Sequence, residues 1–271
     1  MIRAGYIDYL NSLAFTEDIR LRPIEGVEAV IATPAKLNER MALGELALSA
    51  VSAYAYLENS ERYLLAPGLS INSKRHVHSV KLFLRRSRWE LSCKKIRVTP
   101  ESATSVNLLR IILNWWRAPE VSLSVFDGES DMLDGDGVLL IGDRALGFDS
   151  HDYPYAYDLA EIWTERMRMP LVFAVWVVRR DLNGDPLVEK VLRRLWQVRD
   201  GIGANIDRLA LKAAELHRGK PLDFRTYYRA LDFNLDGKGL ESLRAYAREL
   251  KGLADLPPLI SPSFFRLQRN D

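Results

Sequence analysis

Apolar and β-branched runs alternate along the chain with stretches of helical spacing. Strand-like runs fall at 3–7, 27–32, 46–51, 77–84, 95–99, 121–126, 138–141 and 171–178. Between them, Thr33 as N-cap and Pro34 at the first helical position open a predicted helix over 34–43, with Gly44 as its stop. Ser102 or Thr104 caps a second helix over 106–116, where Leu108, Leu109, Ile112 and Trp116 share a side. From about Pro186 the pattern turns helical, at 187–198, 202–216, 224–231 and 239–250. Strands alternating with helices, then a helical tail, predict an α/β fold with mostly parallel sheets.

The runs 77–84 and 171–178 are long for strands, and no low-complexity linker or repeat divides the chain. Two extended crossings between lobes account for both. The expected arrangement is a discontinuous first lobe, 1–84 plus 176–271, and an inserted second lobe, 85–175. A cleft between such lobes is a favoured place for a small ligand.

Composition removes several function classes. The 271 residues suit two modest lobes, and 48% hydrophobic with 27% charged residues excludes a disordered or fibrous chain. A formal charge of +2 announces no nucleic-acid surface. The single cysteine, Cys93, permits neither an internal disulfide nor a cysteine-based zinc site, and there are four histidines. The eight-residue apolar run 171–178 is far below the ~20 residues of a membrane-spanning helix. Met1-Ile2-Arg3-Ala4-Gly5-Tyr6 reads into a strand without the features of a secretory signal, so a cytoplasmic location is expected.

Three places carry candidate chemistry. Tyr9-Leu10-Asn11-Ser12 follows the first strand, and ligands of open α/β sheets bind beyond strand carboxyl ends. Asn11 both donates and accepts, although Asn11-Ser12 would equally serve as a helix cap. Ser102-Ala103-Thr104-Ser105 puts three hydroxyls at a helix entrance, where free N–H groups and the macrodipole favour an anion; a plain N-cap is the alternative. Leu139-Leu140-Ile141-Gly142-Asp143 ends a buried strand in a carboxylate, which could act chemically or cap the following turn.

Other features carry less. His76 and His78 alternate onto one strand face but lack a third metal ligand at a telling spacing. Asp134-Gly135-Asp136-Gly137 lacks the acidic ladder of a calcium loop and reads as a turn. Trp115-Trp116 and Tyr227-Tyr228 read as helix-face packing. No glycine-rich phosphate loop or nucleophile elbow is present.

Together these segments resemble the chorismate dehydratases of the futalosine route to menaquinone. The resemblance rests on Gly5-Tyr6-Ile7-Asp8-Tyr9-Leu10-Asn11-Ser12, Thr33-Pro34-Ala35-Lys36-Leu37-Asn38, Val77-His78-Ser79-Val80, Ser102-Ala103-Thr104-Ser105-Val106 and Leu140-Ile141-Gly142-Asp143-Arg144-Ala145-Leu146. Tyr157-Asp158-Leu159 with Trp163, then Pro170-Leu171-Val172-Phe173-Ala174-Val175-Trp176, follow in family order, and Leu231-Asp232-Phe233 adds to them. The chain departs from the family at Arg75-His76, where Gly-Pro is common, at Arg144, where a small residue is common, and at Met167-Arg168-Met169, which replaces Thr-Gly-Leu.

The resemblance implies a two-lobed, periplasmic-binding-protein-like (type II) α/β fold with two mixed or parallel sheets. It implies a hydro-lyase acting on a small dianionic substrate, chorismate, with no cofactor, nucleic acid or membrane partner. Asn11 is then the active-site amide, and Ser79, Thr104 and Ser105 grip carboxylates, with Ser12, Ser102 and Asp143 beside them in the binding motifs. Two rivals are the pathway's sister enzyme, which makes 1,4-dihydroxy-6-naphthoate, and a non-catalytic anion-binding protein.

Overall fold

The computed structural model describes residues 1–90, 94–217, 222–254, 256 and 261–267; Cys93 lies outside them. The first part of the chain runs β1 (Ile2–Ile7), α1 (Leu13–Leu21), β2 (Val27–Ala32), α2 (Pro34–Ala42), β3 (Leu48–Ser52), α3 (Ala53–Glu58) and β4 (Tyr63–Ser73). The middle part runs β5 (Val80–Leu84), β6 (Lys95–Val98), α4 (Ala103–Trp115), β7 (Ser122–Val125), α5 (Gly128–Met132), β8 (Gly137–Ile141), α6 (Gly142–Gly147), β9 (Tyr155–Asp158) and α7 (Leu159–Met167). The rest runs β10 (Leu171–Arg179), α8 (Pro186–Gly201), α9 (Ile206–Leu216), α10 (Phe224–Ala230), β11 (Leu231–Asp232) and α11 (Gly237–Glu249).

Two mixed sheets form. The first has the order β11-β4-β10-β3-β1-β2, with β1 parallel to β2 and β3 but β10 antiparallel to β3 and β4. The second has the order β7-β6-β8-β5-β9, parallel at β6 and antiparallel around β5. Mostly parallel pairing was expected; β10 and β5 reverse it because each enters its sheet directly from a crossing, without a βαβ return.

The division between lobes is displaced from the expected one. Val80–Leu84 pairs in the second sheet, not with 1–84, and Leu171–Arg179 belongs to the first sheet, with Leu171 and Val172 already paired to β4. The run 77–84 is strand only from Val80. Val77 and His78 give their N–H groups to the Asp158 carboxylate (3.0 and 2.7 Å), and His78 stands at φ 60°, so no ladder forms there. His76 and His78 therefore share a connector, their rings 5.8 Å apart, rather than a strand face.

Two strands escape the pattern. β4 is interrupted at Pro67-Gly68, where Gly68 takes φ 64° and the register with β10 shifts between Val175 and Val177. Proline within a sheet is tolerated at such a bulge. β9 is a short edge strand whose Tyr155 and Ala156 are exposed, so it lacks an apolar run.

Burial follows period 2 in the second sheet. Val138 and Leu140 pack with Phe83, Phe126, Met132 and Tyr153 in a small core, while Leu139 and Ile141 join the main core on the opposite face. In the first sheet Trp176 meets Tyr6 and Phe15 at 5.3 and 5.9 Å between ring centroids, and Phe15 meets Phe233 at 5.6 Å. That aromatic chain fixes the end of β1 and the start of α1 to β10. Among the described residues, no helix is long and apolar enough to cross a membrane.

Candidate active site

The carboxyl ends of β1, β3 and β8 and the N-terminus of α4 converge on a cleft between the sheets. Ile7, Tyr9, Asn11, Pro34, Ser52 and Ile71 line it from the first sheet's side, with Phe173 and Ala174. Ser79, Val80, Ser102, Ser105, Ile141 and Gly142 face them, and Val77 lies at the crossing. The cleft is half open to solvent, and its volume is about 50 Å3. Wider depressions exist, about 510 Å3 between α1, α8 and α9 and about 570 Å3 beside α6. The first is lined by surface ion pairs, Asp18 with Arg22 and Glu17 with Arg208; polar groups from both sheets meet in the narrow cleft instead.

Asn11 lies in a single 3-10 turn, Leu10–Ser12, and its Oδ1 accepts from Ser12 Oγ at 3.0 Å. That turn is gripped from both lobes: Leu10 N–H donates to Asp143 Oδ1 (3.0 Å), and Tyr228 OH donates to Leu10 O (2.7 Å). Ser79 immediately precedes β5, is almost fully buried, and accepts at Oγ from Tyr227 OH (3.3 Å). Ser102 is the N-cap of α4: its Oγ accepts from Ser105 N–H (3.1 Å) and donates to Ser105 Oγ (2.8 Å). Of the expected site residues, Asn11, Ser79, Ser102 and Ser105 line the cleft.

Ser12, Thr104 and Asp143 are engaged by the protein. Ser12 holds the Asn11 amide. Thr104 accepts at Oγ1 from Tyr54 N–H (3.0 Å) and at its carbonyl from Tyr246 OH (2.9 Å), tying α4 to α3 and α11. Asp143 reaches across to Leu10, and its other face lines the depression beside α6 with Arg144 and His217. Burial raises the Asp143 carboxyl above the usual range, while the Leu10 N–H opposes the shift.

Three lining groups have no role assigned from the sequence, although Tyr9 heads the first candidate segment and Phe173 stands in a family motif. Tyr9 donates to Glu101 Oε2 at 2.7 Å across the cleft, and its ring lies against Gly142, where a Cβ would sit 3.1 Å from three ring carbons. Burial, reinforced by Glu101, pushes its phenol far above the ordinary value. Ser52 caps α3 and is held by Asn38, whose Oδ1 accepts from Ser52 N–H and whose Nδ2 donates to Ser52 Oγ. Its place at the end of an apolar run was the available signal. Phe173, the third, supplies apolar wall from β10. None of the lining residues is Asp, Glu, His, Lys or Arg. Among the described residues, no three His, Cys, Asp or Glu side chains are grouped to hold a metal.

Two mixed α/β lobes closing on a neutral polar cleft define the class of two-lobed, periplasmic-binding-protein-like folds. Solved structures agree: a protein of Archaeoglobus fulgidus superposes with TM-score 0.71 at 20% identity, covering 93% of this chain and 98% of that one. The periplasmic aliphatic sulphonate-binding protein of Escherichia coli gives 0.66 at 11%, covering 100% and 95%. More particularly, residues 2–251 match the family model for menaquinone biosynthesis, and the chain belongs to that family. A curated relative, the chorismate dehydratase of Thermus thermophilus, is 32% identical over 264 residues, covering 91% of this chain and 94% of its own length.

Proposed function

We propose that this protein is a chorismate dehydratase, converting chorismate to 3-[(1-carboxyvinyl)oxy]benzoate and water. The observation that carries the reading is the convergence of Asn11, Ser79, Ser102 and Ser105 on one cleft, in a chain 32% identical to an enzyme of that name. The reaction removes the ring C3 proton and the C4 hydroxyl and leaves a benzene ring, so aromatisation drives it. The protein's work is to hold a flexible dianion in the elimination geometry and away from rearrangement.

Asn11 orients the departing hydroxyl through its carboxamide N–H, the amide being held in place by the bond from Ser12 Oγ to its Oδ1. Ser79 and Ser105 donate to the substrate carboxylates, Ser105 with an acceptor lone pair occupied by the Ser102 hydroxyl, and the positive end of α4 aids them. No carboxylate or imidazole is among the lining residues, and the Glu101 carboxylate across the cleft is engaged by Tyr9 OH. We infer that the substrate's own enolpyruvyl carboxylate takes the C3 proton; the C–H electrons form the new ring bond, the C4–O bond breaks, and the departing oxygen takes that proton from the carboxylic acid, so that water leaves and the carboxylate is restored.

Incubation with chorismate, followed by chromatography and mass analysis, tests the activity: the aromatic ether is expected, and unchanged chorismate rejects it. Asn11→Ala should lower turnover by at least about a hundredfold with the denaturation midpoint nearly unchanged. A near-normal rate removes Asn11 from the mechanism. Because no lining side chain titrates near neutrality and the Tyr9 phenol is pushed up, kcat should be flat from about pH 6 to 9. A limb in that window would indicate a protein base.

A further inference from the structure

The pair Tyr227-Tyr228 reads as packing in the sequence, and both rings are buried in the fold. Their hydroxyls nevertheless reach the two polar elements of the cleft. Tyr228 OH meets the carbonyl of Leu10, in the turn that carries Asn11, and Tyr227 OH meets Ser79 Oγ. The two groups come from distant parts of the chain: α10 belongs with the first sheet, and Ser79 immediately precedes β5 of the second.

A fully buried phenol must place its proton on an acceptor or lose the cost of its desolvation. Among the described residues Ser79 Oγ is the acceptor that Tyr227 OH finds. The phenol is also the more acidic of the two hydroxyls, so it donates and the serine accepts. Burial pushes the Tyr227 phenol well above its ordinary range, so it keeps that proton at any working pH. With one lone pair committed to Tyr227, the Ser79 proton is left to point elsewhere, and Ser79 lines the cleft.

We propose that Tyr227 is a positioning residue that fixes the Ser79 hydroxyl as a hydrogen-bond donor into the cleft, aimed at a substrate carboxylate. The inference rests on the assignment of chorismate as substrate. Without Tyr227 OH, the Ser79 hydroxyl turns freely and spends part of its time presenting a lone pair to an anion, which repels. Its effect is on holding the dianion, so it falls on KM rather than on kcat.

The test is a double-mutant cycle on the full-length protein, reading kcat and KM for chorismate and, separately, chorismate affinity by titration calorimetry. Tyr227→Phe should raise KM and the dissociation constant about tenfold while kcat changes by less than about threefold. Ser79→Ala should cost at least as much, and Tyr227→Phe added to Ser79→Ala should cost less than about twofold more. A merely structural tyrosine would give its full penalty in both backgrounds, or would lower kcat and KM-independent stability alike; either result overturns the inference. So does a Tyr227→Phe protein with wild-type KM and affinity. A wild type that neither binds nor turns over chorismate overturns the inference together with the substrate assignment, whereas an active wild type with additive variants overturns the inference alone.

Discussion

Gly142 and His78 occupy left-handed backbone at φ 58° and 60°, and each shows what one residue sets for the cleft. At Gly142 a side chain would face both a strained backbone and the Tyr9 ring, 3.1 Å from the added carbon. Gly142→Ala should therefore destabilise by about 1–2 kcal/mol and lower kcat/KM by about tenfold, as read from urea midpoints and steady-state rates. An unchanged kcat/KM would mean that the Tyr9–Gly142 contact does not shape the site. His78 carries a different signature, because burial lowers its pKa from 6.5 against the opposing pull of Asp158, with Lys81 and His76 adding to the decrease and Glu161 opposing it. The unfolded chain then takes up the proton first, so stability is retained above about pH 6.5 and falls as pH drops toward the folded-state value. His78→Asn tolerates the positive φ and removes that charge. The difference in denaturation midpoint between wild type and variant should shift against the wild type on going from about pH 7.5 to 5.5; a constant difference refutes the assignment.

Among elements, the crossings between lobes owe their form to Asp158. Its Oδ2 accepts from Val77 and His78 N–H, and its Oδ1 accepts from Ala160 and Glu161 N–H at 3.0 and 3.3 Å, capping α7. One buried carboxylate thus pins the outgoing connector to the start of the return helix. Asp158→Ala strands those donors and should cost about 3 kcal/mol, with Asp158→Asn recovering part of it, both measured by urea denaturation. Asp158 was visible in the sequence only as part of a motif, since two of its four donors, Val77 and His78, lie about 80 residues away. The same distinction explains what else was legible. Asn11 after a strand, Ser102 before a helix and Thr33-Pro34 at a helix start obey local backbone rules: α2 begins at Pro34 as expected, and α4 takes Ser102 as its cap but begins at Ala103, three residues before the expected start at 106. The Tyr9–Gly142 contact, the Tyr54–Thr104 bond and the Tyr227–Ser79 pair depend on how lobes close, which no local spacing encodes. β4 was hidden for a third reason: Pro67-Gly68 breaks its apolar run, and only pairing along β10 on either side makes it one strand.

For the whole molecule, the cleft volume of about 50 Å3 is well below the range of about 300–1,000 Å3 for small-molecule sites. A ten-carbon dianion enters only if the lobes part, and the connectors at 74–79 and 168–170 are the segments that cross between the sheets. Tyr9–Glu101, Leu10–Asp143 and Tyr54–Thr104 then act as clasps of the closed form. X-ray scattering should show the radius of gyration of the free protein shrinking when chorismate is added, and Tyr9→Phe should raise KM several-fold by weakening closure. A free protein already as small as the liganded one would reject this opening.

The insertion of one lobe into the other also orders events during synthesis. The second sheet uses only residues 80–158, so its strands can pair as soon as that stretch leaves the ribosome. The first sheet cannot close then, because β3 and β4 do not pair with each other and must wait for β10 to slide between them. Until then the nascent chain carries two apolar strand edges, β3 among them with every residue destined for burial. A chain halted shortly before Leu171 is therefore a half-folded, sticky product rather than a smaller working protein.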